Sequence, residues 1–448
     1  MTFLTADVAA DDGADANDDW TPDRPRTMLL VIGSLEDPRA QRGSVVESST
    51  PDKRPLAGVK VLELGSLIAG PYASALLAQF GAEVIKIEPP KVGDPIRKWR
   101  RLHEGTSLWW YVQSRNKRSV CLDLKSEVGR DIVRRLAAET DLLIENFRPG
   151  TLEKWGLGWE ELSKLNPRLV MVRISGYGQT GPLSNLPGFA AIAEGMGGLR
   201  HVAGYPDRPP VRAGISIGDT LASLYGTIGG LMALHQVRVN GGAGQVVDVA
   251  LYEAVFAVME SLMPEYSLHG VIRGRTGSSL PGISPSNTYL CRDGSYVIIA
   301  ANGDALFKRL MTSIGRCDLA DDLAFAHNDG RVAHNEELDR VIGEWTLQHA
   351  IDEVIEILRQ AEVPVGKSFT AKDIAEDEHY QARRMLEEHE LPGGGPSVTI
   401  PGIVPKLSAT PGETRWLGPA LGEHTMEVLT ALGFGKKELD ALKDRGLV

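Results

Sequence analysis

The segment VKVLELGSLIAGPYASALLAQFGAEVIKIE, residues 59–88, decides the fold. Two short apolar runs, VKVLEL at 59–64 and EVIKIE at 83–88, enclose a stretch of helical character. Apolar runs on either side of a helix are typical of two parallel strands joined by a helical crossover. The segment therefore predicts an α/β protein whose parallel sheet is covered by helices on both faces.

The same alternation continues downstream of this segment. Further strands are predicted at residues 118–124, 141–146 and 169–176, with helices at 126–139 and 152–165. A second unit begins near Ser284 and contains a strand at 295–303, a helix from Asp304, charged helices around 335–360 and a terminal helix. Because 448 residues exceed one ordinary core, we expect two domains.

Composition excludes several classes of protein. The net charge of −11 argues against a nucleic-acid-binding surface. The three cysteines, Cys121, Cys291 and Cys317, form neither a CxxC motif nor a metal-type cluster, which predicts a reducing compartment and no bound metal. No secretory signal is visible, so we expect a cytoplasmic protein. The uncharged run at 220–237 contains three glycines and polar residues, and we interpret it as a helix buried in protein.

Residues 1–54 differ from the rest of the chain. They carry eleven acidic and six basic residues and are rich in Asp, Ala, Ser and Pro. This composition predicts a disordered acidic N-terminal tail.

Known nucleotide and hydrolase motifs are absent or lack the right context. GYGQTG at 176–181 matches GxGxxG and follows a predicted strand, but Pro182 follows at once. No helix can open on this loop, so a glycine-rich turn is favoured over a nicotinamide site. The chain has no P-loop, HExxH or GxSxG motif.

Asp219 is the only carboxylate in VRAGISIGDTLASLYGTIGGLMALHQ, residues 211–236. Its position before an apolar helix favours an N-cap, since Asp accepts hydrogen bonds from free amide groups there. The same position keeps a carboxylate ionised. An ionised carboxylate in a water-poor pocket is also a nucleophile, so the two interpretations are compatible.

Basic residues follow or flank several predicted strands. They occur in NKRS at 116–119 and ENFRPG at 145–150, and the group comprises Lys117, Arg118, Lys125, Arg148 and Lys154. Ligands of open α/β sheets bind outside the carboxyl ends of the strands, where Lys and Arg suit phosphate. The alternative is a solvated charged loop.

Seven ordered motifs resemble those of the class III CoA-transferases, a family that includes formyl-CoA transferases, carnitine CoA-transferases and α-methylacyl-CoA racemases. They are the segment from Pro55 to Arg97, NKRSVCLDL, ENFRPG, GYGQTGP, PPVRAGISIGD, GGAGQVVDVALYEAV and PALGEHTMEVL. The resemblance covers residues 55–448. Within the family, the sequences of these motifs are most similar to those of transferases that move CoA from succinyl-CoA to small dicarboxylates.

The resemblance implies a Rossmann-like large domain, a smaller α+β domain and an interlocked, ring-like homodimer. The large domain would comprise residues 55–250, followed by a linker at 251–283 and a small domain at 284–384. Residues 385–448 would return to the large domain.

The resemblance also implies the site residues. Asp219 matches the family's catalytic aspartate. CoA contacts carry over to a set of residues in three motifs: Ile68, Ala69, Leu122, Asp123, Lys125, Asn146, Phe147, Arg148 and Lys154. A dicarboxylate needs a cation for its distal carboxylate, and the candidates are Arg212, Arg273 and Arg275.

The resemblance implies transfer through an aspartyl anhydride and an aspartyl-CoA thioester, with a CoA thioester as substrate and no permanent cofactor. Two alternatives remain: an acyl-CoA racemase or epimerase, and a CoA-binding partner subunit of a heteromeric transferase. The racemases carry a histidine where this chain has Phe189, and a racemase needs a base on each face of the α-carbon. The run of four glycines found in formyl-CoA:oxalate transferases is replaced by RTGSSLPGISPSN at 275–287, which argues against oxalate as acceptor.

Overall fold

A computed structural model describes residues 52–448 of the chain. The predicted tail, residues 1–54, lies outside these residues except for its last three. The first half of the described chain contains the elements β1 (Lys60–Glu63), α1 (Ala69–Gln79), β2 (Glu83–Glu88), a 3-10 helix (Pro95–Lys98), β3 (Leu102–His103), β4 (Thr106–Ser107), α2 (Leu108–Gln113), β5 (Lys117–Cys121), α3 (Glu127–Ala138), β6 (Leu142–Glu145), α4 (Thr151–Lys154), α5 (Trp159–Leu165), β7 (Val170–Ser175), α6 (Ala190–Met196), α7 (Leu199–Val202), α8 (Ile217–Arg238) and β8 (Val246–Ala250).

The second half is richer in short helices. It contains α9 (Leu251–Phe256), α10 (Leu262–His269), β9 (Ser286–Leu290), β10 (Tyr296–Ala300), α11 (Asp304–Ser313), α12 (Cys317–Ala320), a 3-10 helix (Leu323–Phe325), α13 (Asn328–Ala333), α14 (Asn335–Thr346), α15 (Ile351–Gln360), β11 (Val365–Lys367), α16 (Ala371–Glu376), α17 (Glu378–Ala382), β12 (Leu386–Glu390), β13 (Ser397–Pro401), α18 (Thr425–Ala431) and α19 (Lys436–Asp444).

Six parallel strands form the central sheet in the order β5-β2-β1-β6-β7-β8. Numbered by their appearance along the chain, these strands run 3-2-1-4-5-6, the order of a Rossmann-type sheet. The crossovers change direction between β1 and β6. Ligands of such sheets bind at this point, outside the carboxyl ends of the strands. The predicted α/β class with a parallel sheet is confirmed.

The sheet is buried on both faces because its strands alternate between two apolar cores. On β6, Leu142 and Ile144 belong to one core, whereas Leu143 belongs to the other. Helices α1 and α8 cover the first face, and α3, α5, α18 and α19 cover the second. This arrangement explains the near-continuous apolar runs of the sequence, since both faces of each central strand need apolar side chains.

The strand predictions agree with the structure at β1, β2, β5, β6 and β7, within a few residues at each end. The helix predicted at 152–165 is wrong as a single element. It is divided into α4 and α5, with Gly156 in the left-handed region at φ 65° between them. Strand β8 was missed, because only its last two residues are fully buried and it lacks the apolar run of the other strands.

A third core forms around a smaller antiparallel sheet, β11-β10-β9. Helices α11, α14 and α15 pack against it, and its core is separate from those of the large sheet. The predicted linker at 251–283 contains two helices, α9 and α10. These separate cores support the proposed division into a large and a small domain.

The C-terminal segment lies against strand β5 of the large sheet. Asn116 Oδ1 accepts from the backbone amide of Arg415 at 2.7 Å, and the Cys121 amide donates to Thr425 Oγ1 at 2.9 Å. Val428 and Leu429 of α18 enter the core on that face. We therefore keep the proposal that residues 385–448 belong to the large domain.

Helix α8 packs closely on the large sheet through one glycine-rich face. A side chain at Gly226 would lie 3.1 Å from Ile174, and one at Gly230 would lie 2.9 Å from Leu142. The opposite face exposes apolar side chains, so the prediction of a fully buried helix holds for one face only. None of the helices in the described part of the chain combines the length and apolar character that a membrane span needs.

Candidate active site

A cavity of about 410 Å³ opens at the point where the crossovers of the large sheet change direction. Its walls come from the carboxyl ends of β1, β2, β5 and β6 and from the loops that follow them. The lining residues are Leu64, Gly65, Ser66, Lys86, Ile87, Glu88, Pro89, Val92, Gly93, Asp94, Pro95, Leu122, Asp123, Leu124, Lys125, Phe147 and Trp155. The cavity therefore occupies the ligand position expected for this sheet topology.

The segment from Ser66 to Gly70, called the loop at 66–70 below, leads from this cavity into the first turn of helix α1 and is held in a strained conformation at Leu67. Leu67 has φ 64°, a left-handed conformation that disfavours branched residues. Its amide donates to Asp94 Oδ1 at 3.0 Å, and its carbonyl accepts from Gln113 Nε2. Asn146 adds a reciprocal pair of 2.8 Å bonds to the backbone of Ser66. These contacts fix the loop before any substrate binds.

A buried ionic network supports the same loop from below. Glu63, at the end of β1, accepts from Lys86 Nζ at 2.5 Å and from Lys117 Nζ at 2.8 Å. Lys86 also donates to the carbonyl of Gly65, and Lys117 donates to that of Pro71. Burial alone would raise the pKa of Glu63, but the two ammonium groups outweigh it and lower that pKa to about 2.

Lys117 and Arg118 lie at a strand end, as predicted, but at the amino end of the strand and not at the carboxyl end where ligands bind. They begin β5, and Lys117 is fully buried in the network around Glu63. Arg118 pairs instead with Glu427 at 3.5 Å. Lys117 is not a phosphate ligand in this arrangement because its partners are buried, and neither Lys117 nor Arg118 is among the cavity-lining residues.

The predicted CoA contacts fall into three groups. Four of them line the cavity: Leu122, Asp123, Lys125 and Phe147. Three others lie in or against the loop at 66–70: Ile68, Ala69 and Asn146. The exposed side chains of Arg148 and Lys154 follow β6 but are not among the cavity-lining residues, and Arg148 Nη2 donates to the carbonyl of Asn185.

Asp219 lies in the first turn of α8 and is not the N-cap of this helix. The N-cap is Ser216, and Asp219 is the third helical residue. The N-cap prediction is therefore wrong, because the helix begins two residues before the aspartate. The carboxylate still lies in the favourable field of the helix N-terminus. No donor among residues 52–448 forms a hydrogen bond to it, so its oxygens remain available for chemistry.

The electrostatic environment of Asp219 differs from the sequence-based expectation. Burial is the main cause that raises its pKa to about 6, the charge of Glu194 raises it further, and Arg212 opposes both. The helix N-terminus does not outweigh these effects. At pH 7 to 8 the carboxylate is still ionised, and its raised basicity makes it a stronger nucleophile than an exposed aspartate.

Asp219 and the loop at 66–70 are joined by one hydroxyl group. Ser223, one turn further along α8, places its Oγ 2.7 Å from the carbonyl oxygens of both Ala69 and Asp219. Ser66 of the same loop lines the cavity. The structure therefore brings together the predicted catalytic residue and the predicted CoA contacts in this loop.

The three candidate arginines are not brought together. Arg212 Nε lies 3.9 Å from Glu194 and acts on the charge of Asp219. Arg273 is already paired with two carboxylates, those of Glu260 and Glu265. Arg275 donates to the carbonyl of Tyr205 at 3.1 Å. Of the three, Arg212 alone is therefore linked to Asp219 by these contacts.

Glu194 is the site residue that sequence reasoning missed. It is a buried carboxylate of α6, and Gly218, next to Asp219, packs against its side chain. The signal in the sequence was the same as for Asp219, a lone acid in an apolar, glycine-rich stretch, GFAAIAEGMGG. No cluster of His, Cys, Asp or Glu within residues 52–448 is arranged to hold a metal ion.

The raised pKa of Asp219 predicts an acidic limb in the pH dependence of turnover. Activity should fall as the pH decreases through about 6, because protonation removes the nucleophile. Arg212→Gln should move this limb to higher pH, since Arg212 lowers the pKa. Initial rates from pH 5 to 9 would check both.

Glu145 provides the control, because its burial also raises its pKa to about 6. Glu145→Gln should leave the acidic limb where it is. If the acidic limb disappears in Glu145→Gln and is unchanged in Arg212→Gln, the limb reports the ionisation of Glu145 and not that of Asp219.

The Rossmann-type sheet has a cavity at its topological switch point, and helix α8, which carries the half-buried Asp219, packs against helix α1. Residues 56–425 match the family model of CoA-transferase family III. The chain therefore belongs to CoA-transferase family III.

The alignments with individual relatives span most of this chain and most of each relative. A succinyl-CoA–D-citramalate CoA-transferase from Chloroflexus aurantiacus is 49% identical over 403 residues, 90% of this chain and 100% of that protein. The beta subunit of a succinyl-CoA–L-malate CoA-transferase from the same organism is 41% identical over 88% of this chain and 98% of its own. A crystal structure of a CAIB/BAIF family protein from Brucella suis matches with a TM-score of 0.74 and 35% identity, covering 85% of this chain and 99% of that one.

Proposed function

We propose that this protein transfers CoA from succinyl-CoA to a C4–C5 dicarboxylate such as malate, citramalate or mesaconate, with Asp219 as the covalent nucleophile. The observation that carries the proposal is the carboxylate of Asp219, whose burial raises its pKa, beside the loop that leads to the cavity. The relatives that are 49% and 41% identical are named as succinyl-CoA transferases for D-citramalate and L-malate, which supports the proposed donor and acceptors.

The reaction proceeds in four steps that conserve the thioester. An oxygen of Asp219 attacks the succinyl-CoA carbonyl, which gives a mixed anhydride and CoA thiolate. The thiolate attacks the Asp219 carbonyl, and succinate leaves with the bridging oxygen. The acceptor carboxylate then attacks the aspartyl-CoA thioester and releases the thiolate. Attack of the thiolate on the acceptor carbonyl yields the new thioester and free Asp219.

The protein stabilises these steps by orientation and by backbone amides. Thr220 donates its backbone amide to the Ser216 carbonyl, so this amide is not free to stabilise an oxyanion. The amides of Gly218 and Asp219, in the first turn of α8, lack intrahelical acceptors and would stabilise the developing oxyanion. Burial of the anhydride protects it from hydrolysis.

The cavity suits the CoA part of the substrate. Its walls are mainly apolar, with Lys125 at its rim, and a lysine there would meet a phosphate group. The predicted contacts of Leu122, Asp123 and Phe147 lie on the same walls. We therefore assign the cavity to the nucleotide end of CoA and the loop at 66–70 to its pantetheine arm.

We further propose that the protein is an interlocked homodimer. The exposed face of α8 and the neighbouring helices carries a series of large apolar side chains: Leu224, Tyr225, Ile228, Leu231, Met232, Phe256, Met263, Tyr266 and Leu268. Five of these side chains, at positions 224, 225, 228, 231 and 232, recur at helical spacing on α8, and such an apolar helix face is typical of a surface that another chain covers. Because the CoA-transferase family III relatives include an enzyme whose subunits differ, activity of the purified single chain distinguishes a homomeric enzyme from a partner subunit.

The reducing interior of the cell is the proposed location. All three cysteines are unpaired, which is typical of proteins in a reducing compartment. The proposal therefore rests on the free thiols of the three cysteines and on the proposed use of CoA thioesters as substrates.

A matrix of acyl-CoA donors and carboxylate acceptors, read by mass spectrometry, tests the substrate assignment. We expect succinyl-CoA with a C4–C5 dicarboxylate to exceed formyl-CoA with oxalate at least about tenfold in kcat/KM, a difference of about 1.4 kcal/mol in transition-state binding. The opposite ranking would contradict the assignment. Deuterium wash-in at the α-carbon without CoA transfer would instead identify a racemase.

A further inference from the structure

Glu194 presents a buried oxygen atom that has no partner. Its side chain is 1% exposed, and its Oε2 accepts from Arg200 Nε at 2.9 Å. Its Oε1 is buried and forms no hydrogen bond within residues 52–448. Buried polar atoms nearly always have a hydrogen-bond partner, because an unpaired one has lost its hydration without a replacement. This oxygen is therefore an acceptor for which residues 52–448 supply no donor.

The unpaired oxygen belongs to a residue beside the proposed nucleophile. Helix α6 packs against α8, and a side chain at Gly218 would lie 3.3 Å from Glu194 Cγ. The charge of Glu194 contributes to the raised pKa of Asp219, which agrees with this packing. A substrate that reacts at Asp219 consequently passes close to Glu194.

The charges around Glu194 allow a second anion to approach it. Arg200 bonds to its Oε2, and Arg212 lies 3.9 Å from the same oxygen. Both guanidinium groups lie near Oε2, and they balance the charge of the carboxylate without bonding to Oε1. The Glu194 carboxylate only accepts hydrogen bonds, so the partner of Oε1 must be a donor. The two ionised carboxylates of a dicarboxylate have no proton to donate, so the donor must be another group of the substrate.

We propose that Glu194 Oε1 accepts a hydrogen bond from the hydroxyl group of a 2-hydroxydicarboxylate and thereby makes the enzyme selective for hydroxylated acceptors. This inference rests on the proposed function and narrows its substrate class. A site that binds a substrate hydroxyl discriminates against the analogue that lacks it, because the buried acceptor then stays unpaired. Glu194 is thus a specificity-determining residue beside the nucleophile.

The test compares two acceptors that differ by one hydroxyl group, citramalate and 2-methylsuccinate, each as separate enantiomers with succinyl-CoA. Assays at pH 8 keep Asp219 ionised in all variants. The wild type should favour the better citramalate enantiomer over 2-methylsuccinate at least about tenfold in kcat/KM. Glu194→Met removes the acceptor at similar length and should reduce this ratio at least about fivefold. Glu194→Gln keeps an acceptor oxygen and should retain most of the ratio.

The exchange of isotopically labelled succinate into succinyl-CoA is the internal control, because it uses the same covalent chemistry without a hydroxyl group. The proposal is supported if Glu194→Met still catalyses this exchange and has a reduced kcat/KM ratio of citramalate to 2-methylsuccinate. If Glu194→Met catalyses exchange with an unchanged kcat/KM ratio, or loses activity equally with all acceptors, the role of Glu194 in selectivity is overturned. The proposed function is then left intact. A wild type that catalyses no exchange would overturn the proposed function and this inference with it.

Discussion

Asp219→Asn should reduce CoA transfer at least about 10³-fold while the protein stays folded. The amide has the volume of the carboxylate, but its nitrogen does not attack a thioester and cannot form the anhydride. Binding of CoA should persist, since the cavity and the loop at 66–70 do not depend on the charge of Asp219. Steady-state transfer assays and calorimetric CoA titration would measure both quantities.

The same substitution should stabilise the protein at neutral pH. Folding raises the pKa of Asp219 from 3.8 to about 6, so its ionisation opposes folding above that range. The amide removes this unfavourable charge, and we expect a gain of about 1–3 kcal/mol at pH 8 that disappears toward pH 4. A folded Asp219→Asn variant that retains a substantial fraction of wild-type turnover would exclude the covalent mechanism. Intact-mass analysis of each preparation would confirm that the introduced amide has not hydrolysed back to aspartate.

Glu63→Gln should lower the free energy of unfolding by about 3–5 kcal/mol, the usual effect of breaking a buried ion pair. The substitution leaves the ammonium groups of Lys86 and Lys117 without their shared counter-charge in a fully buried environment. Both lysines also hold backbone carbonyls of the segment from β1 to α1. Weakened CoA binding should therefore accompany the loss of stability, and denaturant unfolding would measure the loss.

The pair between Lys60 and Glu139 offers a matched control on the protein surface. Their side chains are 50% and 70% exposed, and Glu139→Gln should change stability by less than about 1 kcal/mol. The pKa of Glu63 is lowered from 4.5 to about 2, so its stabilising effect is complete above pH 4.5 and is lost as the pH falls toward 2. The difference between wild type and Glu63→Gln should narrow over the same range. Equal effects of the two substitutions at pH 7 would contradict a structural role of the buried network.

The fold was predictable from the sequence where a single physical signal dominated. The strands β1, β2, β6 and β7 lie between two apolar cores, and their apolar runs are correspondingly clear. Strand β8 carried no such signal, because Val246 and Val247 are half-buried and Asp248 is exposed.

The site was predictable only in part, because several of its features depend on contacts between distant residues. Lys117 and Glu63 are 54 residues apart, and no local pattern shows that one neutralises the other. The start of α8 at Ile217 also escaped prediction: Asp219 resembles a cap by residue type, but the helix begins two residues earlier. Glu194 gave the same local signal as Asp219, and packing of α6 against α8 was needed to relate them.

The most direct test of the covalent mechanism is mass spectrometry of the protein after incubation with succinyl-CoA in the absence of an acceptor. We expect a CoA adduct on the peptide that contains Asp219, its conversion to a hydroxamate by hydroxylamine, and neither product in Asp219→Asn. Turnover-competent wild-type protein that carries no adduct at Asp219, or an adduct that persists in Asp219→Asn, would contradict the account.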